Sequence, residues 1–424
     1  MTTPSNGTRP ALGVAMIGYA FMGAAHSQAW RNAHRFFDLP ARPELRVVCG
    51  RSESATREAG ERMGWADWTT DWRTVLQRDD VQVVDICTPG DTHAEIALAA
   101  LAAGKHVLCE KPLANTVAEA EAMTAAAQTA QARGVLSSVG FNYRRTPALA
   151  HARRLVEEGA LGTVRHIRAH YLQDWIVDPE FPLVWRLQKD KAGSGALGDI
   201  GAHIVDLAQF LTGQRLTDVA GHLTRFVERR PLAEATSGLQ ASGGAETGEV
   251  TVDDAAVFLG RTDGGALATF EATRFATGRK NAMRIELNGS AGSIAFDFEA
   301  MNELHVHDAT VPDRDAGFRR ILVTEPDHPY AAAWWPPGHG LGYEHTFVHE
   351  IADFVRDVVS GTPPTPSFAD GLQVQRVLDA VERSSAAGAA WTPVGADQPG
   401  RRPQHTDHPP PPAASADVAS STTH

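Results

Sequence analysis

Three residues of this chain have the type and spacing for acid–base work at a hydroxyl group. Lys111 stands in Cys109-Glu110-Lys111-Pro112, where a short apolar run, Val107-Leu108-Cys109, comes to an end. In open α/β sheets, ligands gather outside the carboxyl ends of the strands. A lysine there, with a proline setting the backbone after it, is better placed for chemistry than one on a helix face. Asp199 and His203 are four residues apart in a glycine-rich run, Ala192-Gly193-Ser194-Gly195-Ala196-Leu197-Gly198-Asp199-Ile200-Gly201-Ala202-His203, so on a helix they share one face. Histidine titrates near neutral pH and suits a general base that takes a hydroxyl proton. Lys111 would stabilise the alkoxide developing on the same oxygen, and Asp199 would hold a neighbouring hydroxyl or orient the site. Each has a plainer alternative: a solvated lysine, a helix-capping aspartate, a half-buried histidine. No third ligand stands at a matching spacing, so no metal is expected.

Such residues need elements to hold them. Residues 12–137 alternate short apolar runs with helical patterns. Leu12–Ile17, Leu45–Cys49, Val83–Cys87, His106–Cys109 and Val135–Val139 read as strands, with helices over Ser54–Met63, His93–Ala103 and Val117–Ala132 between them. That order implies βαβ units and a doubly wound parallel sheet, a Rossmann-type α/β domain. Beyond residue 140 the pattern changes to consecutive hairpins: Val164–Gln173, Asp218–Phe226, Ala255–Arg261, Ala266–Arg274, Ala282–Gly289, Gly292–Asp297 and Glu303–Asp308. These predict an open, mostly antiparallel sheet in an α+β domain. Helices are expected over Asp199–Leu211, Tyr343–Ser360 and Phe368–Ala387, the last packing back on the first domain. The Gly/Ala/Ser/Glu-rich stretch Ala233–Gly248 reads as a mobile hairpin tip. The division expected is a disordered 1–10, a dinucleotide-binding domain at 11–140, a substrate-binding and oligomerisation domain at 141–394, and a disordered Pro/His-rich tail at 395–424.

The first strand runs directly into Gly18-Tyr19-Ala20-Phe21-Met22-Gly23 and then a helix. This is the dinucleotide pattern G-x-G-x-x-G with Ala20 in the middle position. The first glycine makes the tight turn, the third allows close helix–strand packing, and the middle one lets the backbone approach a pyrophosphate at the helix N-terminus. One added methyl weakens the pattern without cancelling it. An NAD enzyme usually ends its second strand in a carboxylate that binds the ribose 2′-hydroxyl. Here Gly50 takes that place, followed by Arg51 and Ser52. Without the carboxylate a 2′-phosphate is not repelled, and a guanidinium pairs with it, so the reading favours NADP over NAD. With a nicotinamide bound, His203 would take the alcohol proton as the carbinol carbon gives up hydride.

Length and composition narrow the class. A chain of 424 residues exceeds the roughly 250–300 that one core usually holds. With 43% hydrophobic and 21% charged residues it has an ordinary globular composition. The net charge of −12 and the absence of any basic block beyond pairs such as Arg144-Arg145 argue against nucleic acid and anionic membranes as partners. Cys49, Cys87 and Cys109 lie in or beside apolar strands without CxxC spacing, as buried thiols of a reducing compartment do. There is no signal-peptide pattern in Met1–Pro10 and no stretch of about 18 apolar residues. A cytoplasmic location is expected.

Taken in order, Gly18-x-Ala20-x-x-Gly23, Thr88-Pro89-Gly90-Asp91-Thr92-His93, Glu110-Lys111-Pro112 and Asp199-Ile200-Gly201-Ala202-His203 resemble the glucose-fructose oxidoreductase / inositol dehydrogenase (Gfo/Idh/MocA) family over roughly residues 12–393. The resemblance implies NAD(P)-dependent oxidation or reduction of sugars, polyols or similar hydroxyl compounds, and a homodimer or homotetramer. It also implies Lys111 and His203 as the catalytic pair, Asp199 as a substrate or catalytic residue, and Thr88, Pro89, His93 and Glu110 on the nicotinamide side. Two departures bear on cofactor detail: Ala20, and Gly90-Asp91 where members often have asparagine. Asn142-Tyr143 after the last Rossmann strand, Trp175, Arg186, and the Trp334–His339 run hint at a sugar pocket. Asn142 is expected on the cofactor side, and Tyr143, Trp175, Arg186 and His339 on the substrate side. Ala20–Trp30 with Trp334–Tyr343 is similar to the levoglucosan-dehydrogenase-like branch of that family. Two other readings compete: an epimerase or lyase with a retained, cycling cofactor, and a dinucleotide-sensing regulator without turnover.

Overall fold

The computed structural model describes residues 9–237 and 240–395. Both expected disordered ends, 1–10 and 395–424, fall almost wholly outside that range. The first sheet has six parallel strands: β1 (Ala11–Ile17), β2 (Arg42–Cys49), β3 (Asp67–Thr69), β4 (Val83–Ile86), β5 (His106–Glu110) and β6 (Ser137–Gly140), in the order β3-β2-β1-β4-β5-β6. That is the doubly wound dinucleotide order, with its crevice between β1 and β4. Val14, Ala15 and Met16 in β1 and Val83 and Val84 in β4 are fully buried. Helices cover both faces, so these strands carry continuous apolar runs. The short edge strand β3 escapes sequence reading because three residues show no alternation.

The second sheet comprises β7 (Val164–Leu172), β8 (Leu216–Thr224), β11 (Ala255–Thr262), β12 (Leu267–Thr273), β13 (Ala282–Gly289), β14 (Gly292–Asp297), β15 (Glu303–Asp308), β16 (Arg319–Leu322) and β17 (Thr392–Pro393). Its order is β16-β15-β14-β13-β7-β12-β11-β8-β17, and only the β7–β12 pair is parallel. Alternation decides its faces: Ala256, Phe258, Ala268, Phe270 and Ala272 point into the core, whereas Val257, Leu259 and Leu267 face outward. The remaining strands, β9 (Arg229–Ser237) and β10 (Gln240–Glu249), form a separate antiparallel ribbon. The stretch expected as a mobile hairpin tip is therefore mostly regular ribbon. Its composition hid the reason. Fully buried Arg230 donates to the carbonyls of Ile176, Asp178 and Phe181, clamping the ribbon to the preceding loop.

Two helices decide how the sheets meet. Phe368–Ala386 packs on both: Thr124 Oγ1 donates to Phe368 O at 3.1 Å on the first-domain side, and Gly221 N donates to Ser384 Oγ at 3.0 Å on the other. Pro147–Glu157, unmarked in the sequence reading, packs on the Ala202–Thr212 helix and on β14 and β15. Tyr343–Ser360 lies along Phe21–Phe36. Before it, Trp334 lies 4.2 Å from the Phe36 ring, centroid to centroid, and its Nε1 donates to His349 Nε2 at 2.7 Å. Trp334 is thus an inter-element clamp and not the sugar platform its neighbourhood suggested. Among the described residues, no helix is long and apolar enough to cross a membrane.

The clamp is pH-sensitive. His349 Nδ1 donates to Arg145 O at 2.8 Å, so Nε2 must stay unprotonated to accept from Trp334. Burial lowers the imidazole to about 3 from its ordinary 6.5. The unfolded chain therefore takes up a proton below pH 6.5 that the folded chain refuses, and stability falls as pH drops. The expected loss from this group is about 1.4 kcal/mol per pH unit between 6.5 and the folded value. Unfolding followed at pH 7.5 and 4.5 should show a His349→Gln variant losing about 3 kcal/mol less than wild type on acidification.

Candidate active site

The dinucleotide loop is built by close approaches that exclude side chains. Gly18 has φ 99°, and a Cβ there would lie 2.5 Å from Cys87 O; one on Gly23 would lie 2.1 Å from Gly18 O. Ala20 precedes the first helical residue, Phe21, with an extended backbone, and no acidic side chain occupies the first turn. The free N–H groups of that turn, with Phe21, Met22 and Gly23, suit an anionic pyrophosphate. At the end of β2, a Cβ on Gly50 would lie 1.9 Å from the Tyr19 ring. Tyr19 thus covers the place a ribose-binding carboxylate would need. Arg51 and Ser52 are exposed beside it, and Ser52 precedes the Glu53–Met63 helix.

Beyond β4, Thr88 Oγ1 accepts from Thr92 at 2.7 Å, and Pro89 opens the short Gly90–Thr92 turn. His93, expected on the nicotinamide side, is buried. Its ring nitrogens lie 2.9 Å from Thr88 O and 3.1 Å from Pro112 O, so it staples this turn to the Lys111-Pro112 turn. Asn142 is buried and donates to Thr346 Oγ1 at 2.8 Å, which commits its amide to the interdomain contact.

Lys111 emerges from the end of β5, and its Nζ donates to Asp199 O at 2.7 Å and approaches Asp199 Oδ1 at 3.5 Å. Asp199 sits in a π-helical turn, Leu197–Gly201, that leads into the Ala202–Thr212 helix. The single helix expected from Asp199 thus begins as a wider turn. Asp253 shapes it by accepting from Gly195 N at 2.7 Å and Leu197 N at 2.8 Å. A Cβ on Gly195 would fall 1.7 Å from Asp253 O. On the second-sheet side, Arg274 Nη1 lies 3.6 Å from Asp199 Oδ2. Burial alone would raise the Asp199 carboxyl, but Lys111, Arg274 and Arg186 outweigh it and hold it down at about 2.

His203 is buried, and among the described residues its Nδ1 has no hydrogen-bond partner. Burial pushes its imidazole well below 6.5, the Lys111 charge pushes further, and Asp199 offsets only part. It is a neutral base at neutral pH. The Tyr143 ring lies 4.6 Å from it, and the Tyr143 hydroxyl meets the Tyr171 hydroxyl at 2.6 Å, with Tyr171 also donating to Asn281 at 2.6 Å. Burial raises both phenols, so they remain donors. Trp175 and Arg186 border the cluster. Arg274 stacks over Trp175 at 5.5 Å, and Arg186 over Trp185 at 4.4 Å. His339, expected on the substrate side, is exposed, and its Nδ1 bonds to Pro336 O at 2.8 Å. Sequence reading missed Arg274, Tyr171 and Asn281. A lone arginine closing a strand and a tyrosine inside one carry no local signal. Tyr343 also joins the rim, stacked on Phe21 at 6.3 Å and 5°.

A parallel sheet with a glycine-lined phosphate turn, and a lysine, aspartate and neutral histidine gathered at its carboxyl end, defines a dinucleotide-dependent oxidoreductase. Comparison with known proteins agrees. Residues 12–141 match the oxidoreductase family with NAD-binding Rossmann fold, and residues 149–295 match the GFO/IDH/MocA C-terminal domain. The chain is 43% identical to levoglucosan dehydrogenase of Pseudarthrobacter phenanthrenivorans over 388 residues, 90% of this chain and 98% of that protein. An oxidoreductase domain protein from Kribbella flavida superposes with TM-score 0.87 at 66% identity, covering 91% of this chain and all of that one. A levoglucosan dehydrogenase solved with NADH and levoglucosan superposes with TM-score 0.85 at 42% identity, covering 91% and 99%. The protein belongs to the Gfo/Idh/MocA oxidoreductase family.

The electrostatics of the site can be read directly. In an NMR titration of the histidine ring signals, His203 should titrate well below 6.5, and Lys111→Met should raise its value by removing the nearby charge. A His203 that titrates normally and ignores Lys111→Met would show the two groups to be uncoupled.

Proposed function

We propose that the protein is an NAD(P)-dependent dehydrogenase of a sugar, glycoside or polyol, with Lys111 and His203 as its acid–base pair. The observation that carries this reading is the joining of Lys111 to Asp199 beside a neutral, buried His203 at the carboxyl end of the dinucleotide sheet. In this reading residues 11–140 hold the dinucleotide and 141–394 the substrate. Gly18, Ala20 and Gly23 with the first helical turn hold the pyrophosphate. Thr88, Pro89 and Glu110 border the nicotinamide, which supplies the hydride acceptor or donor when bound. His203 takes the hydroxyl proton, and its low basicity keeps it ready for that at neutral pH. Lys111 donates to the same oxygen and lowers the cost of its developing charge. Asp199 orients the amine through its carboxylate and carbonyl, while the Tyr143, Trp175 and Arg186 side chains offer the aromatic and polar surface a carbohydrate needs.

The relatives' names favour a neutral carbohydrate, levoglucosan among them. A cytoplasmic homodimer or homotetramer, associated through the outer face of the second sheet, accords with exposed Val257, Leu259 and Leu267 there. A screen of anhydrosugars, free sugars, glycosides and inositols, followed by absorbance of reduced cofactor, tests the reading. Lys111→Ala and His203→Ala should each lower kcat about 10²–10⁴-fold with dinucleotide binding retained, and near-normal turnover in either would refute the assignment. Product without net reduced cofactor would indicate a cycling epimerase or lyase, and binding without any turnover a sensor.

The cofactor's phosphate is set at Gly50-Arg51-Ser52. With no carboxylate there and an exposed guanidinium, NADP should bind at least as tightly as NAD. Parallel calorimetric titrations check this. Tighter binding of NAD, the form whose reduced partner occupies the 42% identical relative, would assign Arg51 to the adenine or to solvent.

A further inference from the structure

We propose that His26 is a positioning residue for Lys111, acting through Glu110 as the middle of a buried Asp85–His26–Glu110 chain. His26 lies on the Phe21–Phe36 helix and is fully buried. Its Nδ1 is 2.9 and 3.1 Å from the two oxygens of Asp85, in β4, and its Nε2 is 2.9 Å from Glu110 Oε1, at the end of β5. Trp30 Nε1 anchors the far end by donating to Asp85 Oδ2 at 2.7 Å. The other Glu110 oxygen accepts the backbone N–H of Lys111 at 3.1 Å. A continuous hydrogen-bonded path therefore runs from the helix, across two strands, to the backbone of the site lysine.

A carboxylate oxygen faces each ring nitrogen, so the ring donates on both sides as a cation. Burial opposes that charge, yet Asp85 keeps the imidazole well above its ordinary value. The groups facing it are Asp85 and Cys87 from the β4 side, Glu110 from β5, and Tyr343 and Glu350 from the neighbouring Tyr343–Ser360 helix, whose Phe347 ring lies 5.3 Å away. Such a buried ion chain adds little stability over an apolar packing of the same shape. Its exit to the site is the Lys111 amide, where a small displacement is costly: about 1 Å of misplacement can cost about 100-fold in rate.

The inference rests on the reading of Lys111 given above, and its test separates the two. His26→Leu removes both links, whereas His26→Gln keeps a donor for Glu110. The first readout is the His203 titration by NMR in the protein without substrate, where Lys111 and Asp199 are the charges that set the value. A loosened Lys111 depresses His203 less, so His26→Leu should raise its pKa and His26→Gln should restore it. The second readout is kcat with the sugar found by screening. It should fall about 10- to 100-fold in His26→Leu, with the acid limb of the pH profile moved upward and KM little changed. If His26→Leu does not fold, Asp85→Asn, which keeps the shape of the chain, should move His203 in the same direction. A folded variant with an unmoved His203 overturns the proposal, as does a kcat loss that His26→Gln fails to rescue. A moved His203 with unchanged kcat supports the positioning and removes Lys111 from catalysis.

Discussion

Asp199 is the charge on which the rest of the site depends. Lys111 reaches it from the first sheet and Arg274 from the second, while its own backbone belongs to the turn that presents His203. One carboxylate thus joins both halves of the molecule. Without it, two cations would face each other in a poorly solvated cleft, an arrangement that costs far more than the pair contributes when intact. The same cluster explains the histidine. A cation held close by, in a buried place, keeps the imidazole neutral, which is the form that can accept a proton.

That arrangement survives only if the two halves hold their register. Trp334 wedges against Phe36 and bonds to His349, and the Phe368–Ala386 helix touches both sheets. Close backbone approaches at Gly18, Gly23 and Gly195 leave no room for a side chain and hold the loops on their course. Beneath them the Asp85–His26–Glu110 chain ties the first helix to the lysine turn. Lys111, Asp199 and His203 are therefore carried at the ends of regular elements, and the more open surface is left to Trp175, Arg186 and Tyr343.

Much of the first domain was legible because its strands are buried on both faces and its turns need glycine. β13, β14 and β15 were bounded correctly from their alternation and flanking glycines. The ribbon of β9 and β10 was not, since Arg230 ties it down from the interior and a buried arginine looks like a surface one in sequence. The same limit hid Arg274. The bonds of His93 to two carbonyls and of Asn142 to Thr346 were not legible, because a side chain that bonds to a carbonyl or a distant threonine reads the same in sequence as one that meets a ligand.

The sequence by itself determined the doubly wound first domain, the hairpin-built second one, the phosphate turn, and the candidacy of Lys111, Asp199 and His203. Local patterns carry those, since burial periodicity, glycine at forced turns and residue type are properties of short segments. Only the tertiary structure decided that Arg274 shares Asp199 with Lys111, that His203 is neutral, and that Trp334 is a clamp. Each of these depends on groups far apart in the chain meeting in a buried space, where distance and desolvation set the charge, and neither quantity is written in any one stretch of residues.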